Sequence, residues 1–140
     1  MTKNILISIV GIIGSAIASA FGGWTTGLTT LVIFMAIDYI TGLIVAGVFH
    51  KSTKTETGTL ESRAGFKGLC RKGVMLLVVL VAYRLDLAVG TTYIKDAVII
   101  AFIANETISI IENAGLMGIH IPDTIKNAID ILQKNGSGNK

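Results

Sequence analysis

Cysteine and proline each occur once in this 140-residue chain. Cys70 alone cannot close an internal disulfide and falls far short of a zinc site. The two histidines, His50 and His120, are far apart and have no neighbour at metal-ligand spacing. No repeat of solenoid period and no low-complexity linker divides the chain, so its length describes one domain. Phosphate-cradling glycine loops, the G-x-S-x-G elbow and any paired nucleophile and base are also missing. Neither an enzyme nor a bound cofactor or metal is expected. Charge is scarce as well, at 15% Asp, Glu, Lys and Arg.

The apolar half of the chain is concentrated in long runs, with most of the charges gathered between them. That pattern points to a bilayer, because about 20 consecutive apolar residues are needed to cross one as a helix. Four spans are expected at about Ile5–Phe21, Leu28–Phe49, Gly73–Val89 and Ala97–Ile119, with a polar loop over residues 50–72. The first run follows Lys3 and carries Ala18-Ser19-Ala20, which also fits a cleaved signal peptide. Read as a span, it has two rows of small residues suited to close helix packing: Gly11-Ser15-Ser19-Gly23 and Gly14-Ala18-Gly22. Trp24, in a glycine-bounded turn, suits the membrane interface. Pro122 and Asp123 mark a helix start, and Ile121, Ile125, Ala128, Ile129 and Leu132 line one face of a short amphipathic helix over residues 122–134. The expected fold is an all-α membrane protein, four transmembrane helices plus this tail helix.

Basic residues set the orientation. With four spans, Lys3, the loop's Lys51, Lys54, Arg63, Lys67, Arg71 and Lys72, and Lys126, Lys134 and Lys140 share one side, ten of the twelve. Both termini and the loop are therefore expected in the cytoplasm, where Arg63, Lys67, Arg71 and Lys72 face anionic headgroups. The net charge of +3 then needs no nucleic acid to explain it.

Charges inside the runs are the anomaly. On a helix, Asn105, Glu106, Ser109, Glu112 and Asn113 fall within an arc of about 120°, opposite Ile103, Ile110, Ile111 and Ala114. One ionised carboxylate at mid-membrane costs about 2.5–3.5 kcal/mol, comparable with the whole gain of about 3–5 kcal/mol from the helix's large apolar residues. The stripe needs partners: water in a pore, or neighbouring helices in a static bundle. A hairpin closed across His50 and Lys72 sets Asp38 level with Arg84, and opposite charges at one depth should pair, within one chain or across a protomer boundary. The alternative puts Arg84 and Asp86 near the outer interface.

The chain resembles a family of phage holins that includes phage lysis holins and clostridial toxin-export holins. The likeness is carried by "DYITG" (Asp38–Gly42), "SRAGFKGLCRKG" (Ser62–Gly73), "LD" (Leu85–Asp86), "NETISIIENAG" (Asn105–Gly115) and "MGIHIP" (Met117–Pro122). It implies an integral protein of the bacterial inner membrane that accumulates and then assembles as a large homo-oligomer. The resulting lesions let an endolysin, or in some members a toxin, reach the wall side. By this resemblance Asp38, Gly42, Arg71, Lys72, Asp86, Glu106, Glu112 and Asn113 are the functional positions. The competing classes are a small oligomeric ion channel or transporter subunit using the same carboxylates, and a passive membrane scaffold.

Overall fold

The computed structural model describes residues 1–136, which form five α-helices; no strand occurs among them. Lys140, counted above with the inner-face lysines, lies outside the described residues. The helices are α1 (Thr2–Ala20), α2 (Thr26–Gly47), α3 (Ser62–Val89), α4 (Ile94–Leu116) and α5 (Asp123–Gly136). Two of them, α1 and α2, are long and apolar enough to cross a membrane by length and composition.

Each boundary has a local cause. Thr25 caps α2, its hydroxyl accepting from the Leu28 N–H at 3.2 Å. Gly90 ends α3 in the left-handed conformation (φ +80°) that glycine adopts without penalty. No side chain at the start of α4 caps it. Asp86 does so from α3, taking the N–H groups of Ile94 and Lys95 at 2.9 Å each and the Thr91 hydroxyl at 2.6 Å. Its negative charge lies where a helix start favours one. Asp86 is therefore a turn-fixing residue at the α3–α4 corner.

The core is a cluster of Leu28, Leu31 and Met35 from α2, Val79 from α3, and Ile99 and Ile103 from α4. Helix α4 is central, packing on α2, α3 and α5. The tail helix doubles back along α4: Ile129 is buried, Leu132 packs against the core cluster, and Ile125 on the same expected face stays exposed.

Two expectations change. Helix α3 begins at Ser62, not at Gly73, so half of the anticipated loop is helical. Two glycines of this stretch, Gly65 and Gly68, lie against the Tyr39 side chain. A Cβ on Gly65 would lie 3.5 Å from the Tyr39 hydroxyl and one on Gly68 3.9 Å from its ring, while that hydroxyl donates to the Gly65 carbonyl at 3.3 Å. Tertiary support thus overrides weak local propensity.

The second concerns α1. No residue of it is buried, and a Cβ on Gly11 or Gly14 would meet nothing within 4 Å. Of the packing rows, Gly11, Gly14, Ser15 and Ser19 are exposed and Ala18 is half-buried. The helix is fastened only at its end. Lys95 donates from Nζ to the Phe21 carbonyl and lies 5.4 Å above the Tyr83 ring. A cation there suits the carbonyl end of α1, and its position over the ring adds a cation–π contact. Gly22, with φ +78°, turns the chain where a Cβ would sit 2.3 Å from Tyr83, so no other residue fits.

Candidate functional site

Asp38 and Glu106 each lie twelve residues into their helices, near the middle of α2 and α4. Both are 3% exposed. Between them stands Lys72 of α3, whose Nζ is 2.7 Å from Asp38 Oδ2 and 2.6 Å from Glu106 Oε2. One ammonium thereby ties three helices together. Charge-assisted bonds this short are the strong kind, and groups so buried are tolerable only when paired.

Asn113, two turns further along the same face of α4, completes the network. Its Nδ2 donates to the Asp38 carbonyl at 3.2 Å, to Asp38 Oδ1 at 3.1 Å and to the Thr41 hydroxyl at 2.9 Å. Gly42 lies beside this amide, which would be 3.8 Å from a Cβ there. Among the described residues no buried side-chain polar atom lacks a hydrogen-bond partner.

The triad separates two environments. Toward the α3–α4 corner, one or two turns away on each helix, lies the dry cluster of Met35, Val79 and Ile103. Toward the 50–61 segment lies a partly open cavity of about 290 Å³, bordered by Tyr39, Lys54, Arg71, Asn105, Ser109 and Glu112. The ion network is thus the floor of a polar recess.

Within the chain, the Asp38–Arg84 pair is not formed. Asp38 binds Lys72, and Arg84 is exposed on α3. The cause is the earlier start of α3. Asp38 is nine residues before the end of α2, and Lys72 is ten residues after the start of α3. Moving the hairpin closure from His50 and Lys72 to Gly47 and Ser62 replaces Arg84 by Lys72 at that level. Lys72 accordingly leaves the surface group to which the sequence assigned it, while Arg63, Lys67 and Arg71 remain exposed.

The stripe on α4 divides as well. Glu106 and Asn113 face inward, Ser109 is half-buried, and Asn105 and Glu112 are exposed at the cavity edge. Lys95 and Tyr39 carry structural roles that sequence reasoning missed. One signal for Lys72 was available, since it stands where the basic segment meets the apolar run of α3. Among the described residues, no group of three or more His, Cys, Asp and Glu residues could hold a metal ion.

A family model described as the bacteriophage holin family matches residues 15–134. A protein of Halalkalibacterium halodurans is 38% identical over 90% of this chain and 92% of its own length. A 14.9 kDa protein of Clostridium perfringens is 37% identical over 86% of each. A protein of Bacillus phage phi105 named a probable holin is 31% identical over 77% of this chain and 75% of its own. No solved structure matches.

Proposed function

Because the chain belongs to the bacteriophage holin family, we propose that it inserts into the bacterial cytoplasmic membrane through α1–α4, with both termini and the 50–61 segment in the cytoplasm. There its copies gather into a lesion wide enough to pass an endolysin. The observation that supports this reading best is the Asp38–Lys72–Glu106 triad, an ion network at the middle of helices whose outer surfaces are apolar. In hydrocarbon such groups are stable only inside a bundle or against water. The triad lets one protomer close α2, α3 and α4 into a unit soluble in lipid.

What remains available for other copies is α1, none of whose residues is buried, and the exposed polar edge of Asn105 and Glu112. As surface density rises, contact between copies replaces contact with lipid, since small residues permit close approach. The polar edges then face one another across water and line the rim. An ion channel would use the same recess but conduct salts continuously without passing folded protein.

Induced expression in bacteria, with and without a co-expressed endolysin, tests the proposal. Abrupt clearing of the culture only when the endolysin is present is the expected result. Steady growth with slow ion leakage, whether or not the endolysin is present, would overturn it in favour of a channel.

A further inference from the structure

The ion pairs of the triad set three helices level with one another. From Lys72 back toward the start of α3, Arg71, Lys67 and Arg63 follow at about 1.5, 7.5 and 13.5 Å along the axis. In the same direction Glu112 lies about 9 Å beyond Glu106 on α4. With the triad at mid-bilayer, these four groups occupy the cytoplasmic half of a hydrocarbon core about 30 Å thick, and all four are exposed. Arg71 and Lys67 thus lie deeper than the headgroups. A charge turned toward acyl chains at that depth is costly, so the flank that carries these groups suits water.

The polar groups join into one surface. Arg71, Asn105 and Glu112 border the recess above the triad. Glu112 also borders a shallow cleft of about 300 Å³ that it shares with Lys126 and Asp130 of α5. Lys67 and Arg63 continue from Arg71 at every fourth residue, on one flank of α3. The face therefore runs from α3 across α4 to α5, and Arg63, Lys67, Arg71 and Lys126 outnumber Glu112 and Asp130. None of Arg63, Lys67 and Arg71 is in an ion pair among the described residues.

The face has clear limits. Outward of Lys72 the same flank of α3 carries Val74, Val78 and Val81, 40% to 56% exposed, so its polar part ends at the level of the triad. Around the bundle, α2 has one charge, the buried Asp38, and turns Ile33, Ile37, Ile40 and Ile44 outward. In its cytoplasmic half the protomer is therefore two-sided, apolar along α2 and cationic across α3, α4 and α5.

We propose that in the assembled lesion the α3–α4–α5 face walls the cytoplasmic half of the water-filled passage and gives it a net positive charge, so that anions enter in preference to cations. A wall of one sign concentrates ions of the other within about a Debye length. The inference rests on the lesion reading given above and deepens it: the polar edge of Asn105 and Glu112 becomes part of a whole face with a sign.

The full chain in planar bilayers of uncharged phosphatidylcholine, between potassium chloride solutions of unequal concentration, reports the preference as a reversal potential. Chloride should be favoured several-fold over potassium near 0.01 M salt, where screening reaches about 30 Å, and hardly at all near 1 M, where it reaches about 3 Å. Arg63→Glu, Lys67→Glu and Arg71→Glu together should turn the preference to potassium. A second variant adds charge after folding and assembly: Lys67→Cys in a chain with Cys70→Ser, labelled with a sulfonate or a trimethylammonium thiosulfonate. The sulfonate should lower the chloride preference and the trimethylammonium label should restore it. A parent protein with no chloride preference at low salt, or a preference that neither the glutamates nor the labels move, overturns the cationic wall alone. Absence of conductance at every protein density overturns the lesion on which it rests.

Discussion

Replacing Lys72 with methionine keeps a long side chain in place and removes the cation that joins Asp38 to Glu106. Breaking a buried pair from one side costs about 3–5 kcal/mol, because the remaining charge is stranded. Here two carboxylates are stranded, both bonded to Nζ at 2.6–2.7 Å and both 3% exposed. The recess beside them admits water to one flank, so about 4 kcal/mol is the expected loss. Combining Lys72→Met with Asp38→Asn and Glu106→Gln removes the charges while keeping their shapes. That variant should recover to within about 1–2 kcal/mol of the parent, the residue being unmade hydrogen bonds. Arg84→Gln should cost under about 0.5 kcal/mol, as befits an exposed position. Equilibrium unfolding in mixed micelles, driven by added dodecyl sulfate and followed by circular dichroism and by Trp24 fluorescence, measures all four proteins. A Lys72→Met chain as stable as the parent, or an Arg84→Gln chain equally damaged, would refute the assigned triad.

Asn113→Ala removes three donor contacts to Asp38 and Thr41 and should lower stability in the same assay by about 1–3 kcal/mol; no loss would show that the amide is dispensable. Gly22→Ala meets both a positive φ and the Tyr83 ring. The left-handed conformation alone costs about 1–2 kcal/mol, and a double-mutant cycle with Tyr83→Ala should show coupling that simple additivity would disprove. Asn105→Ala with Glu112→Leu alters only exposed positions. This variant should insert and unfold like the parent yet need a higher expression level to permeabilise cells. Lysis at the parent's level would remove the polar edge from the mechanism.

Several of these elements were visible in the sequence for physical reasons. Long apolar runs fix α1 and α2, and the helical period of Asn105, Glu106, Ser109, Glu112 and Asn113 places a polar face on α4. Pro122 and Asp123 locate the start of α5 within one residue. The partner of Asp38 was not visible because register depends on where helices begin and end, and the start of α3 is supported at a distance by Tyr39. Lys95 reads as an isolated outer-face charge until the fold brings the Phe21 carbonyl and Tyr83 to it. The openness of α1 was hidden likewise: its small-residue rows describe what could pack there, and in the fold none of its residues is buried.

The central claim is that copies held together through polar surfaces at bilayer depth open a hole large enough for folded protein. It is tested most directly in vesicles loaded with both a small dye and a folded endolysin, reconstituted with the full chain at rising protein-to-lipid ratio. Little release should occur at low density, and above a threshold the dye and the endolysin should escape together. Release of the dye alone at every density would contradict the account, leaving a narrow channel in place of a lesion.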